Sequence, residues 1–154
     1  MFTSKGEETM SEELSLKVKN FYQEVYNQGN LDAMEEFIDV NYLRHQPPMK
    51  DVQGLAAYKA FISEVRGAYT NFNMILDEII TAGNKTVVRL TLTGKNTGKS
   101  PTIRTPPTGR EIAMPACVVS TWDNGKIAEE WVYNDYLGLT YQFGVMPIIT
   151  GSFE

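Results

Sequence analysis

The sequence predicts an α+β fold. Helical periodicity fills residues 11–67, extended periodicity fills most of residues 72–135, and tight turns join two pairs of the predicted strands. Ser11 followed by Glu12 and Glu13 reads as a helix start, with acids placed where the positive end of the helix dipole favours them. Leu14, Val18, Phe21 and Val25 then recur at spacings of four, three and four, the stripe of an amphipathic helix that stops at Gln28-Gly29-Asn30. Leu31 to Phe37 fits a short second helix. After His45-Gln46-Pro47-Pro48, a third begins near Val52-Gln53-Gly54, with Leu55, Tyr58, Phe61, Ile62 and Val65 on its buried face, and ends near Gly67.

From residue 72 the pattern becomes extended. Phe72 to Thr81 and Lys85 to Thr93 are rich in β-branched and large apolar residues, with Gly83-Asn84 as the turn between them. A two-residue turn sets Glu78 opposite Arg89 as a cross-strand ion pair. The polar stretch from Gly94 to Arg110 is long for a hairpin connection, and such loops often act as functional covers or are mobile. Strands over Glu111 to Trp122 and Lys126 to Asp135 follow, joined by the Asn124-Gly125 turn, and a last helical turn covers Tyr136 to Phe143. The expected organisation is an N-terminal flexible tail over 1–11, a single domain over 12–147 and a C-terminal tail over 148–154.

Composition narrows the function classes. The 154 residues carry 42% hydrophobic and 21% charged side chains, enough apolar material for one well-formed core. A net charge of −5 argues against a nucleic-acid groove, which needs a basic stripe. No apolar run reaches the roughly 18 residues of a membrane span, and no secretory signal is seen, so a cytoplasmic location without membrane partners is expected. One cysteine, Cys117, and one histidine, His45, leave too few ligands for a zinc site, and no metal is expected. Cys117 itself reads as a packed thiol in a strand interior.

The candidate chemistry lies at the end of the last strand. Strict alternation puts Ile127, Glu129, Trp131, Tyr133 and Asp135 on one face, and pairing through Asn124-Gly125 without a bulge sets Met114, Ala116, Val118 and Ser120 opposite Asp135, Tyr133, Trp131 and Glu129. If that face lines a cavity, the aromatics form an apolar wall and Asp135 is a proton acceptor. Alternatively Asp135 caps the helix that starts at Tyr136, a common role for Asp.

These residues also carry a family resemblance. Asn41-Tyr42-Leu43-Arg44-His45-Gln46-Pro47, Gly54 with Tyr58 and Phe61, Arg66-Gly67-Ala68-Tyr69, and Pro106-Pro107-Thr108-Gly109-Arg110 are its first pieces. Asn124-Gly125-Lys126-Ile127 with Glu130-Trp131, Asp135-Tyr136-Leu137-Gly138-Leu139, and Gln142-Phe143-Gly144 complete it. In order and spacing the chain, over about residues 12 to 147, resembles the SnoaL-like polyketide cyclases, also called ester cyclases, of the nuclear transport factor 2-like superfamily. The resemblance implies a cone-shaped fold whose curved antiparallel sheet and N-terminal helices enclose an apolar pocket. It implies cofactor-free chemistry on a small apolar carbonyl compound, with Asp135 as general acid and base, and a homodimer formed through the outer sheet face. The function it implies is a cyclase or a related lyase or isomerase; a non-catalytic small-molecule binding or regulatory module on the same fold is the alternative. Read this way, Asp135 and His45 are the candidate catalytic residues, and Trp131, Tyr133, Met114, Val118, Asn96 and Tyr58 the candidate ligand contacts. The chain departs from the family at Thr93-Gly94-Lys95-Asn96-Thr97-Gly98, where relatives carry a histidine at the place of Asn96.

Overall fold

A computed structural model of the chain describes residues 5–145. The first helix, α1, runs over Lys5–Phe21 and buries Leu14, Val18 and Phe21. It therefore starts ahead of Ser11 and takes in much of the expected tail; the 148–154 tail lies outside the described residues. A wider π-helical turn over Tyr22–Asn27 continues it and buries Tyr22, Val25 and Tyr26, so the stripe read from the sequence holds through Val25. A 3₁₀ turn at Leu31–Ala33 and the short α2 at Met34–Phe37 follow.

The strand β1 over Ile38–His45 and the two-residue β2 at Val52–Gln53 come next; neither was expected from the sequence. The helix α3 over Leu55–Gly67 buries Tyr58, Ile62 and Val65, three residues of the anticipated stripe. Four long strands then form β3 (Tyr69–Ala82), β4 (Lys85–Asn96), β5 (Glu111–Asp123) and β6 (Lys126–Asn134), before α4 at Tyr136–Phe143. The six strands make one curved open sheet in the order β2-β1-β6-β5-β4-β3. Every pairing is antiparallel except β1 with β6, which is parallel.

The helices cover one face of this sheet, and the main core fills the space between. Phe21, Met34, Tyr42, Tyr58, Ile62, Val88 and Val118 are among its members, and a second apolar cluster joins Leu92, Ile112 and Met114 to Leu139 and Phe143 of α4. From the Gly83-Asn84 turn to Glu78 the β3–β4 register is the one read from that turn, with Glu78 paired with Arg89 and the side chains 3.4 Å apart; it shifts between Leu76 and Glu78.

The β5–β6 register differs from the expectation. Trp122 pairs with Ile127, but Thr121 pairs with Glu129, so Ala128 is an extra residue on β6. A one-residue bulge inverts the face of every later side chain on its strand. Ile127 points inward, and beyond Ala128 the inward residues are Glu130 and Val132, both buried, with Asn134 facing the same way. Glu129, Trp131 and Tyr133 turn to the outer face, where Trp131 and Tyr133 are 41% and 55% exposed. The expectation that Trp131, Tyr133 and Asp135 share a face with Met114 and Val118 is corrected by this bulge.

Candidate functional site

On the helix-covered face of the sheet, β1, α3 and β6 bring their polar residues into one buried cluster. Glu130 is 1% exposed, and its carboxylate accepts hydrogen bonds from Tyr42 Oη at 2.5 Å, Ser120 Oγ at 2.9 Å, Arg44 Nη1 at 3.0 Å and Tyr58 Oη at 3.3 Å. Tyr58 Oη also meets Tyr26 Oη at 2.9 Å, which ties the π-helical turn to α3. Burial pushes the Tyr42 and Tyr58 hydroxyls well above the ordinary tyrosine range, and the negative charge of Glu130 pushes them further, so both remain neutral donors. Burial works against the Arg44 cation, but the Tyr26, Tyr58 and Tyr42 oxygens and the Glu130 carboxylate more than offset it and keep the guanidinium charged. A carboxylate holding this many donors is locked in place; its job is to fix Arg44.

Arg44 connects this cluster to a cavity. Its Nε donates to Gln46 Oε1 at 2.9 Å, its Nη1 is shared between Glu130 and Tyr58, and its Nη2 has no hydrogen-bond partner among the described residues. The side chain lines a cavity of about 50 Å³ between α3, the sheet and α4. Its apolar wall is built by Phe61, Met74, Leu90, Leu92, Met114 and Leu139, and its polar side by Arg44, Gln46, Asn134, Tyr136 and Ser100. Gln46 Nε2 and Asn134 Nδ2 (3.1 Å) both donate to Tyr136 Oη. With two donors occupying its acceptor positions, the Tyr136 hydroxyl has its own proton left to donate. Arg44 and Tyr136 thus offer the cavity two hydrogen-bond donors. None of the residues lining it is an aspartate, glutamate or histidine.

The long polar loop closes this cavity from above. Asn96 is 1% exposed and staples the loop at its base: its Nδ2 donates to Ala68 O at 3.1 Å and Gly98 O at 3.0 Å, and its Oδ1 accepts from Thr108 N at 2.8 Å. Gly98 packs so closely on the end of α3 that an added Cβ would fall 2.1 Å from Gly67 O. Held at both ends, the loop lays Ser100, Pro101 and Thr102 across the cavity. Ser100 hydrogen-bonds Tyr69, whose hydroxyl burial pushes above its ordinary value against that bond.

The sequence-derived candidates are dispersed by this arrangement. Met114 lines the cavity; Val118 and Tyr58 lie in the adjoining core, Tyr58 as a partner of Arg44; Asn96 holds the loop. Asp135 stands at the N-cap of α4, exposed, with Oδ1 accepting from Gly138 N at 2.8 Å, while Asn134 and Tyr136 on either side of it line the cavity. His45 lies on the outer face with Trp131 and Tyr133. Its ring stacks on Trp131 at 4.1 Å between centroids, with Nε2 2.9 Å from Glu129 and Nδ1 3.1 Å from Asp51. Desolvation lowers the pKa of His45, but the hydrogen bonds and charges of Glu129 and Asp51 outweigh it and raise the value overall.

Sequence reading missed Arg44, Gln46, Glu130, Asn134 and Tyr136. The signal at hand was the resemblance itself, whose motifs include Arg44, Gln46, Glu130 and Tyr136. Among the described residues, no group of three or more His, Cys, Asp or Glu side chains is placed to hold a metal ion, and no helix is long and apolar enough to cross a membrane.

Comparison with known proteins places this geometry in context. A family model described as SnoaL-like polyketide cyclase matches residues 16–143. Among solved structures, a protein from Jannaschia sp. CCS1 described as a SnoaL-like polyketide cyclase superposes with a TM-score of 0.81 at 18% identity, over 96% of this chain and 99% of that one. TsrD from Streptomyces laurentii gives 0.78 at 23% identity, covering 88% and 97%. IdmH from Streptomyces antibioticus, described as a polyketide cyclase, gives 0.71 at 20%, covering 84% and 97%. At these identities the likeness is one of fold. No curated protein matches the chain.

Proposed function

The chain belongs to the SnoaL-like polyketide cyclase family, and from that premise we propose that it binds a small, largely apolar carbonyl compound in the cavity and acts on it as a cofactor-free cyclase, lyase or isomerase. The observation that carries this reading is that Arg44, whose Nη2 has no hydrogen-bond partner among the described residues, and Tyr136, whose hydroxyl keeps its proton to donate, both line one largely apolar cavity. Hydrogen bonds from this pair to a carbonyl oxygen would strengthen as the oxygen gains enolate charge, the condition for stabilising a transition state over a ground state. A base takes a proton from the carbon beside that carbonyl, and the enolate carbon then adds to a second carbonyl of the same molecule, whose alkoxide takes the proton back from that group, or the carbon skeleton is reprotonated by it at another position, giving cyclisation or isomerisation.

Asp135 remains the candidate acid and base, on the condition that its carboxylate leaves Gly138 and turns inward. Its capping position, and a cavity wall without carboxylate or imidazole, favour a second reading, a binding module that holds the ligand without converting it. A cavity of this size takes roughly three or four waters, so a polyketide-sized ligand also requires the covering loop to move.

A panel of β-dicarbonyl and polyketide-like compounds tests both readings by calorimetry and by product analysis on the wild type, Tyr136→Phe and Asp135→Asn. The proposal expects binding and turnover in the wild type, and affinity lowered about fivefold in Tyr136→Phe, the worth of one neutral hydrogen bond. Turnover that falls by roughly two or more orders of magnitude in Asp135→Asn supports Asp135 as the base. Binding without turnover selects the module, and binding indifferent to Tyr136 removes the site.

A homodimer through the outer sheet face belongs to the same proposal. Trp131, Tyr133 and Ile80 are each more than 40% exposed, and Val119 and Cys117 lie beside the first two on β5. A two-fold contact would cover this apolar surface. A monomer mass in light scattering at micromolar concentration would refute it.

A further inference from the structure

Beside the cavity lies an open groove of about 490 Å³. Gln46, Phe61, Pro101 and Thr102 line both spaces, so cavity and groove share a wall. The groove holds three charged side chains: Lys50, which follows the Pro47-Pro48 turn, Arg104 on the covering loop, and Glu64 on α3. Lys50 and Arg104 are exposed, and neither forms an ion pair among the described residues. The groove therefore carries one net positive charge in a chain whose total is −5. The covering loop shares this bias, with Lys95, Lys99, Arg104 and Arg110 and no acidic residue between Gly94 and Arg110.

Cavity and groove thus differ in charge. At the inner end, Glu130 already pairs with Arg44 at 3.0 Å, so a permanent carboxylate there would be buried against a cation already paired, whereas a carbonyl oxygen carries only the partial charge that the Arg44 and Tyr136 hydrogen bonds can hold. The inner end suits a neutral carbonyl. At the outer end, an anion would meet two cations in water, where solvation is retained and attraction guides its approach. Resting on the cavity reading above, we propose that the ligand is an amphiphilic acid: its carbonyl faces Arg44 and Tyr136, its apolar body spans the space beside Phe61, and its carboxylate lies in the groove between Lys50 and Arg104. Those two residues then determine specificity for the acid over neutral analogues.

A matched pair of probes tests this: a medium-chain keto acid with its ketone remote from the carboxylate, and the methyl ester of that acid. Calorimetry on the full chain should find the acid bound about five- to tenfold more tightly than the ester, the scale of two exposed ionic contacts. Raising the salt concentration should weaken acid binding and leave the ester unchanged. Lys50→Ala with Arg104→Ala should remove the preference while ester affinity and thermal stability stay at wild-type values, because both side chains are exposed. Tyr136→Phe should weaken acid and ester alike. Equal affinity of the wild type for the two probes overturns the proposal, as does a preference that survives the double substitution. A salt-sensitive preference together with indifference to Tyr136→Phe keeps the anion site and overturns the cavity reading. Binding of neither probe overturns both.

Discussion

Replacing Glu130 by glutamine removes a charge and little else, so it isolates what the buried ion pair contributes. The side chain is 1% exposed, and its four donors come from Tyr42, Arg44, Tyr58 and Ser120. A glutamine oxygen can still accept from Tyr42, Tyr58 and Arg44, and its amide nitrogen can donate to Ser120, whose hydroxyl also accepts. What remains uncompensated is the Arg44 cation, whose side chain is 7% exposed. Breaking a buried pair in this way costs about 3–5 kcal/mol. Because the hydrogen bonds survive in neutral form, the lower end, about 3 kcal/mol, is expected. In a domain of this size each kcal/mol moves the melting temperature by about 2–4 °C, which gives a fall of about 6–12 °C. Urea unfolding at equal protein concentration provides the free energy. The control is Arg44→Met combined with Glu130→Gln, since removing both charges from a buried site is often close to neutral. The double variant should regain most of the lost stability. A single variant within about 1 kcal/mol of wild type, or a double variant no more stable than the single, would refute the pair as the fixed anchor of the site.

Asp135→Ala should cost about 1 kcal/mol in urea unfolding through loss of the Gly138 cap, and Asp135→Asn only a few tenths, since asparagine caps almost as well. Asn96→Ala leaves Thr108 N and the carbonyls of Ala68 and Gly98 without their side-chain partner. A loss of about 2–3 kcal/mol is expected, together with faster amide exchange at Thr108. His45 has a raised pKa in the folded state, despite desolvation, through Glu129 and Asp51. The stability it contributes is therefore complete below its ordinary value near pH 6.5 and lost as pH rises through the higher folded-state value. Urea midpoints measured on both sides of that window should fall with pH in the wild type and lose this component in His45→Gln.

Helices and hairpins were legible because their signals are local. Leu14, Val18, Phe21 and Val25 are all buried, and the Gly83-Asn84 turn alone set Glu78 against Arg89. β1 was not legible for the opposite reason. Its stabilising partner is the parallel strand β6, with Arg44 beside Glu130, and nothing near Ile38–His45 announces a neighbour so far along the chain. Parallel pairing leaves no turn to read. The polar cluster was hidden by the same distance: Tyr42, Tyr58, Ser120 and Glu130 come from four elements, and each alone reads as an ordinary residue of its element.

One residue accounts for most of the difference between the expected site and the observed one. Asn124-Gly125 specifies the turn, and the pairing it implies is correct through Trp122 and Ile127. Ala128 then enters the strand unpaired, and the phase of β6 changes at that point. Alternation without the bulge sends Trp131 and Tyr133 inward and leaves Glu130 outside; with it, Glu130 reaches Arg44 and Trp131 stacks on His45. An inward Glu130 finds four donors, whereas an inward Trp131 would compete for the space that Tyr42 and Tyr58 fill with stacked rings 4.4 Å apart. The inverted phase also decides what the end of the strand offers the cavity. Asn134 faces in and orients Tyr136, and the intervening Asp135 is left to cap α4. Under the proposed reading the cavity wall contributes a pair of donors, Arg44 and Tyr136, while the carboxylate stays at the cap unless it turns inward, and the compounds to test first are those whose carbonyl oxygen gains charge in the reaction.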